Sequence, residues 1–326
     1  MDCISKEKKQ RSEALQIVYG DCTLGVHGTS FDYIFSYQLG GLESLVIDGK
    51  EWLYRVPKPT FWRAVTDNDR GSKFPLRSGM WLSADMFIEC IGIGLFVDDK
   101  KIELPIAPQN NGYSERETAG KIKIIFTYKT ITVPATKVVV AYEVTAAGEI
   151  EVQVHYFGNQ ELPELPVFGM RFVMPAKAVG YRYEGLSGET YPDRMAGGIE
   201  GIYEIEGLPV TRYLVPQDCN VHMDTKWLEV YRNMTHDNSN RDSSVFGLKF
   251  SGIDNKFAFT CIPYTAEELE NATHQEELPI ARRTVVSILG AVRGVGGINS
   301  WGADVEPAYH IDAGKDIIHS FKISRI

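Results

Sequence analysis

The chain has 326 residues, of which 44% are hydrophobic and 24% are charged, and its formal net charge at pH 7 is −9. The hydrophobic fraction is sufficient for a normal globular core, whereas the acidic balance argues against non-specific binding to nucleic acid or to an anionic membrane surface. No run approaches eighteen consecutive apolar residues, so the sequence predicts no helix that spans a membrane.

The N-terminus and the cysteines indicate the compartment. Residues 1–11 carry charge but no apolar core, which argues against a secretory signal. The odd cysteine count, the wide spacing and the lack of a C-x-x-C pair predict reduced thiols in a cytoplasmic protein. A disulfide framework or a zinc site is not expected. The five cysteines are Cys3, Cys22, Cys90, Cys219 and Cys261.

Strand patterns dominate the chain. Residues 121–128 and 150–156 alternate between polar and apolar side chains, and residues 137–144 are β-branched and aromatic, as half-buried strands are. Gly, Asn, Asp or Pro separates the strand-like segments at intervals typical of antiparallel meanders. The other segments of this kind are 15–19, 31–38, 44–47, 167–174, 245–250, 256–261, 284–290 and 317–324.

Helical patterns are scarce. One short helix is predicted within residues 73–90, around Met80–Met86. A second is predicted over Thr265–Ala272, where Thr265 and Glu268 have the spacing of a capping box. The glutamates of the second helix, Glu270 among them, are predicted to face solvent. Strands and helices do not alternate, which argues against a TIM barrel or a Rossmann sheet. The sequence therefore predicts one all-β domain over residues 1–326, a large antiparallel β-sandwich.

The segment Phe61–Gly71 joins two aromatic residues and an arginine to a polar run that ends at glycine. The run contains Asp67, Asn68 and Asp69, residue types that favour turns, and Gly71 can adopt a positive φ at low cost. An aromatic anchor followed by a polar loop suits the rim of a pocket. A tight surface turn without function is the alternative.

No catalytic constellation is recognisable. A glycosidase needs two carboxylates at a defined separation, but no pair among the 43 acidic residues has a distinctive local context. A Gly-x-Ser-x-Gly motif is missing, and none of the seven histidines has the i, i+4 partner of a helix-borne metal pair. The sequence predicts no catalytic or metal-binding residue in this chain. It predicts structural histidines, with His155 in a strand and His222 and His274 in loops.

Two further loops combine polar and aromatic residues. Gly294–Gly302 lacks the G-x-G-x-x-G order of a nucleotide loop. An exposed indole at Trp301 would pack against the C–H face of a sugar, and the alternative is a tryptophan that anchors the loop in the core. In the loop Tyr191–Arg194, Asp193 and Arg194 are expected to bridge to neighbouring segments or to a partner protein.

The segment Phe61–Gly71 resembles the F-W-R-A-P-T-D-N-D-x-G segment in the C-terminal domain of large β-galactosidases. Further motifs of that domain follow in the same order, so that the resemblance covers nearly the whole chain. Because the chain comprises this domain alone, it resembles the small subunit of a heterodimeric β-galactosidase. The further motifs are 185–189, 191–194, 216–217, 227–228, 294–297 and 300–302.

The resemblance implies a β-supersandwich similar to galactose mutarotase. It implies that the catalytic carboxylates and Mg²⁺, with Na⁺ or K⁺ as further candidate ions, belong to a large catalytic subunit. This chain would then bind no cofactor and be inactive alone. Trp301 is implied to stack on a galactoside substrate, mainly on the glucose part of lactose. Gly71 is implied to begin a mobile active-site loop that includes Asp67, Asn68 and Asp69.

Val65 departs from the family pattern, which usually has proline at this position. The entry to the polar run is therefore predicted to be less rigid than usual. Two alternatives share the predicted fold. One is a stand-alone aldose 1-epimerase-like enzyme, which needs a histidine acid and a carboxylate base facing one pocket. The other is a carbohydrate-binding module that binds sugar without a partner.

Overall fold

The computed structural model describes residues 14–104, 117–235, 237, 239 and 241–326. These residues form 21 strands in three antiparallel sheets, and their helices are short. The predicted all-β, antiparallel architecture is therefore confirmed. Cys3 and the segment tested for a secretory signal, residues 1–11, lie outside the described residues.

The largest sheet has ten strands and contains the segments with the clearest alternation. In spatial order these are β15 (Glu200–Glu206), β14 (Gly180–Leu186), β17 (Trp227–Arg232), β18 (Phe246–Gly252), β21 (Ile317–Arg325), β12 (Ile150–Tyr156), β11 (Lys137–Thr145), β10 (Lys121–Lys129), β7 (Glu89–Val97) and β8 (Lys100–Ile102). Along β10 every second side chain is buried, which places one face of the sheet against the core. The strands predicted over 121–128, 137–144 and 150–156 are confirmed.

Two smaller sheets complete the fold. The six-stranded sheet consists of β5 (Lys50–Glu51), β4 (Gly41–Ile47), β3 (Phe31–Ser36), β2 (Thr23–His27), β1 (Leu15–Tyr19) and β9 (Thr118–Ala119). The five-stranded sheet consists of β16 (Val221–Thr225), β19 (Phe257–Ile262), β20 (Arg283–Val292), β13 (Val167–Pro175) and β6 (Arg55–Thr60). Every residue of β13 and β19 is buried, so this sheet is covered on both faces.

Some strands lack a clear sequence pattern, and β6 and β16 show why. Pro57 and Pro59 interrupt the pattern of β6, but they are tolerated because β6 is an edge strand and needs fewer amide donors. His222 lies in β16 and is buried, so the prediction of a loop there is wrong. Its polar sequence neighbours conceal the strand, in which His222 Nε2 shares a hydrogen bond with Asn220 Oδ1 at 2.8 Å.

Aromatic rings anchor the Phe61–Gly71 segment in the core. Phe61 and Trp62 are buried, as the sequence predicts for the anchoring half of the segment. The Phe61 ring stacks on Trp81 with 5.4 Å between ring centroids, and Trp62 stacks on Phe74 at 6.3 Å. These contacts fix the backbone where the polar run begins.

The helices of the described residues are all short. They are α1 (Asp67–Gly71), α2 (Phe74–Ser78) and α3 (Ala266–Asn271), with 3-10 turns at Gly79–Trp81, Gln275–Glu277 and Pro307–Tyr309. A short helix within residues 73–90 is confirmed, but it lies at α2 and the 3-10 turn Gly79–Trp81, and its predicted position around Met80–Met86 is wrong. Leu82 has an extended ψ of 126° and Ser83 a positive φ of 60°, so the backbone leaves the helical region there.

Helix α3 agrees with its prediction. Thr265 Oγ1 accepts a hydrogen bond from the Glu268 amide at 3.2 Å, and Glu268 Oε2 accepts one from the Thr265 amide at 2.8 Å. These two bonds are the predicted capping box, and they satisfy two amides that the first helical turn leaves unpaired.

Four cysteines lie in the described residues, and all four are free thiols. Cys219 is buried, and burial raises the pKa of its thiol to about 12, so the reactive thiolate is disfavoured. Within the described part of the chain, no helix has the length and apolar character needed to cross a membrane.

Candidate functional site

Helix α1 is formed by the polar run of the Phe61–Gly71 segment. Thr66 Oγ1 accepts a hydrogen bond from the Asp69 amide at 3.2 Å, and Asp69 Oδ2 accepts one from the Thr66 amide at 2.9 Å. This capping box makes one turn of helix where a loop is predicted. Gly71 does not adopt the positive φ that glycine allows, because it is the last residue of the helix.

The close approach of two backbone segments explains the glycine at position 71. A Cβ atom on Gly302 would lie 2.6 Å from the Gly71 carbonyl oxygen, and one on Gly71 would lie 3.3 Å from the Gly302 Cα. Gly302 also has a φ of +77°, a conformation that favours glycine. The two backbones are in direct contact, and this contact places Trp301 beside the C-terminal end of α1.

A second contact joins α1 to the same loop. Asn68 Nδ2 donates a hydrogen bond to the Val295 carbonyl oxygen at 3.0 Å. A Cβ atom on Gly297, where φ is +76°, would come within 2.7 Å of that nitrogen. Helix α1 and the loop Gly294–Gly302 therefore form one structural unit, which we call the α1–loop unit.

The loop Tyr191–Arg194 also holds the glycine-rich backbone. The Asp193 carboxylate accepts hydrogen bonds from the amides of Val295 at 3.0 Å and Gly296 at 2.7 Å. Arg194 donates to the Gly296 carbonyl oxygen. The expected bridge from Asp193 and Arg194 to a neighbouring segment is confirmed. Because Asp193 occupies the amides that a phosphate would need, these amides are not available to an anionic ligand.

Asp69 faces the protein interior. It is 1% exposed, and its two carboxylate oxygens pair with Arg63 Nη1 at 2.7 Å and with Arg293 Nη1 at 3.0 Å. Burial lowers the pKa of Arg63, but Asp69 and Asp218 outweigh this effect and hold that pKa above its ordinary value. Asp69 is therefore placed to stabilise the fold from inside.

Arg293 is central to this network, although it is not among the predicted site residues. The side chain is fully buried, and it pairs with Glu164 through Nε at 3.0 Å and with Asp304 through Nη2. Arg77 also pairs with Glu164 and Asp304. The network joins α1 to both ends of the glycine-rich loop. One signal is available in the sequence, an arginine between the apolar strand 284–290 and the glycines that follow.

Trp301 projects from this loop into solvent. Its side chain is 93% exposed, so the alternative of a tryptophan that anchors the loop in the core is wrong. Asn299 Oδ1 accepts hydrogen bonds from the amides of Trp301 at 2.9 Å and Ala303 at 3.2 Å, which fixes the turn that carries the indole. A large aromatic ring on a fixed backbone is available to contact a ligand or another protein.

Of the four predicted loop residues, three are exposed on α1. Asp67 pairs with Arg70 at 3.0 Å, and its amide donates to Gln217 Oε1 at 2.7 Å. Asn68 and Gly71 contact the loop of Trp301, as described above. The structure thus brings Asn68, Gly71 and Trp301 together and leaves Asp69 underneath. The roles of these residues towards a substrate stay predictions.

The valine at position 65 permits a hydrogen bond that proline would not. The Val65 amide donates to Glu270 Oε2 at 2.8 Å, and the same oxygen accepts from Trp62 Nε1 at 3.2 Å. Proline has no amide hydrogen and could not make the first bond. Helix α3 therefore holds the entry to α1, and the prediction that Glu270 faces solvent is wrong.

The cavity on the five-stranded sheet is too small for a sugar. Arg63, Arg171 and Asp218 are among its lining residues, and its volume is about 30 Å³, which is room for about one water molecule. Burial raises the pKa of Asp218 to about 6. His222 is not one of the lining residues, and burial lowers its pKa to about 4. These residues do not form the acid–base pocket that an epimerase needs.

The family of the chain follows from comparison with known proteins. Residues 27–323 match the family model described as beta galactosidase small chain. The chain belongs to this family. It is 61% identical over 313 residues to the beta-galactosidase small subunit of Latilactobacillus sakei, covering 96% of this chain and 98% of that protein. The resemblance inferred from Phe61–Gly71 and the later motifs is confirmed.

Single-chain relatives contain the same region as one part of a longer protein. The chain is 31% identical over 332 residues to a beta-galactosidase of Halalkalibacterium halodurans, covering 100% of this chain and 30% of that protein. Among solved structures, a galactose mutarotase-like protein from Lactobacillus casei aligns with a TM-score of 0.40 and 10% identity, over 93% of this chain and 100% of that one. The all-β fold class rests on the sheets themselves.

Proposed function

We propose that the chain is the non-catalytic subunit of a heterodimeric, retaining β-galactosidase that hydrolyses lactose and other β-D-galactosides. In this proposal the large subunit supplies the catalytic carboxylates and Mg²⁺, with Na⁺ or K⁺ as further candidate ions. The Latilactobacillus sakei relative supports it, because a protein named as a small subunit is matched over 98% of its length.

The exposed Trp301 on the α1–loop unit is the observation that carries the proposal. An indole that points away from its own domain can add apolar contact area to a sugar held by another chain. Trp301 would contact the leaving glucose or an acceptor sugar, so it would act on binding and on acceptor choice rather than on bond cleavage. Asp67, Asn68 and Gly71 would border the same pocket, with Gly71 as the proposed hinge.

The proposed location of the heterodimer is the cytoplasm. The four described cysteines are free thiols, as expected in a reducing compartment. The net charge of −9 supports the absence of nucleic acid and membrane lipid from the proposed partners.

The test is reconstitution with the cognate large subunit. We expect no lactose hydrolysis by the purified chain alone and hydrolysis after mixing, with the heat-denatured chain as the control. Hydrolysis by the chain alone, or no gain on mixing, would contradict the proposal. Interconversion of galactose anomers by the chain alone would favour the epimerase alternative. Sugar binding without any effect on the large subunit would favour a carbohydrate-binding module.

A further inference from the structure

His310 lies directly after the 3-10 turn Pro307–Tyr309, beside the segment that leaves the Trp301 loop. An isolated β-bridge between Leu165 and Ile311 aligns this part of the chain with the segment that enters β13. The His310 side chain is 32% exposed, so its ring can exchange protons with solvent. His310 is therefore a titratable group next to the α1–loop unit.

Both ring nitrogens of His310 face hydrogen-bond acceptors. Nδ1 contacts Glu164 Oε2, and Nε2 lies 3.1 Å from the Val305 carbonyl oxygen. A neutral imidazole has one N–H group and one lone pair, so in either tautomer one of these contacts would join two acceptors. The imidazolium ion has two N–H groups and can donate to both. The geometry therefore fits the protonated form of His310.

Four charged side chains from other segments surround these contacts. The Glu164 oxygen that faces His310 also accepts from Arg293 Nε at 3.0 Å, and the other Glu164 oxygen pairs with Arg77 at 3.3 Å. Asp304 pairs with the same two arginines. Burial raises the pKa of Asp304, but the opposing effects, led by the hydrogen bond from Arg293, hold that pKa below its ordinary value. Histidine is the residue type in this cluster that titrates near neutral pH.

The segment around His310 contacts both ends of the Trp301 loop. The Tyr309 carbonyl oxygen accepts a hydrogen bond from the Gly294 amide, at the start of the loop, at 3.0 Å. His310 itself contacts Val305, three residues after the end of the loop. Val305 also packs under the loop, because a Cβ atom on Gly296 would lie 3.4 Å from Val305 Cγ1. The protonation of His310 can therefore affect how firmly the loop is held.

We propose that His310, as the imidazolium ion, is a positioning residue for Trp301, and that loss of its proton loosens the loop at Val305. A carboxylate binds an N–H group more strongly than a neutral carbonyl does, so the neutral ring keeps its contact with Glu164 and gives up Val305. The contact with Val305 is present at low pH and is lost as the pH rises through the titration of the histidine. The effect on lactose rests on the proposed function, whereas the effect on the free chain does not.

Fluorine NMR of the free chain follows the indole without the large subunit. The chain has five tryptophans, so labelling with 5-fluorotryptophan gives five lines, and Trp301→Phe identifies the line of Trp301. We expect this line to shift with a single titration between about pH 5 and about pH 8, the range in which histidines change charge.

Two substitutions at position 310 imitate the two forms of the ring. His310→Arg has a permanent charge and a planar set of donors, so the Trp301 line should stay at its low-pH position. His310→Gln has one donor group and one acceptor, as a neutral imidazole has, and should keep the line at its high-pH position.

The matched control is His155→Gln. The His155 ring also faces a carboxylate, that of Asp316 at 2.7 Å, and its side chain is 26% exposed. His155 lies in β12 rather than beside Val305. The Trp301 line of this variant should titrate as it does in the unmodified chain.

The reconstituted enzyme gives a second measurement. Between about pH 6 and about pH 8, the KM for lactose should rise roughly two- to tenfold more with the unmodified chain than with His310→Arg, as the loss of one hydrogen bond predicts. The kcat should depend on pH equally in both, because the large subunit is the same. Thermal unfolding of each free variant identifies any loss of folding. If one substitution at position 310 unfolds the chain, the other one and the control decide.

Asp218 is a second group that can titrate in this range, because burial raises its pKa to about 6, and its charge acts on Arg63. A Trp301 line that titrates equally in the unmodified chain and in the folded His310 variants would overturn the proposal and assign the effect to Asp218. A line that does not move with pH in the unmodified chain would also overturn it. If the line behaves as expected but mixing gives no lactose hydrolysis, the heterodimer is wrong and the positioning role of His310 remains.

Discussion

Trp301 and Asp69 belong to the same α1–loop unit but are suited to opposite tasks. Trp301 has its ring in solvent and its backbone fixed by Asn299. Asp69 is enclosed by Arg63 and Arg293. An exposed residue such as Trp301 can contact a ligand with little effect on folding. A buried, paired residue such as Asp69 contributes to the stability of the fold.

Trp301→Ala should therefore leave the free chain folded and weaken the reconstituted enzyme. An aromatic contact contributes about 0.5–1.5 kcal/mol beyond its buried area, so the KM for lactose should rise roughly two- to tenfold. Trp301→Phe should recover part of the loss. The measurement is steady-state hydrolysis of lactose together with the yield of transgalactosylation. An unchanged KM and an unchanged yield would show that Trp301 does not contact the sugar.

Asp69→Asn should lower the free energy of unfolding of the free chain. Removing one partner of a buried ion pair costs about 3–5 kcal/mol, because the remaining charges stay buried. Asp67→Asn is the matched control on the same helix, since the Asp67 pair with Arg70 is exposed, and it should cost less than about 1 kcal/mol. Urea unfolding of the free chain measures both values. Equal stabilities of the two variants would contradict the structural role of Asp69.

At the scale of elements, local patterns predict the strands better than they predict α1. The alternation of polar and apolar residues in β10 and β12 is a local property of the sequence, and it directly indicates which face of each strand is buried. Helix α1 has five residues, too few for an apolar period, and Asp and Asn also favour turns. Thr66 and Asp69 were the available signal, as a capping box with aspartate in place of the usual glutamate.

Gly302→Ala tests whether α1 and the loop act as one unit. An alanine at position 302 would have to adopt a left-handed backbone conformation, and its Cβ atom would clash with the Gly71 carbonyl oxygen. Gly207→Ala is the control, because Gly207 has a φ of +67° but open space around its Cβ position. The control should lose about 1–2 kcal/mol of stability from the backbone alone. Gly302→Ala should in addition raise the KM for lactose of the reconstituted enzyme, and an unchanged KM would show that the contact does not position Trp301.

At the scale of the whole molecule, the sequence predicts the class of fold but not the contacts that build the site. The all-β architecture follows from period-two patterns repeated along the chain. The approach of Gly71 to Gly302 and the pairing of Asp69 with Arg293 join segments that are far apart in the sequence. A local sequence pattern cannot predict such contacts. The family motifs identified Trp301 and the α1 segment, but they did not show that Asp69 is buried. The single domain over residues 1–326 stays a prediction.

The contact between Gly71 and Gly302 limits how this region can be engineered. A chimaera that received the Trp301 loop from a relative with a larger residue at either position would have two backbones competing for the same space. The smallest exchangeable piece is therefore discontinuous. It includes residues 66–71, 191–194 and 293–304, because each of these segments holds another in place, together with Arg63, Arg77 and Glu164, which pair with the same network. Libraries aimed at changed transgalactosylation should vary the three segments together.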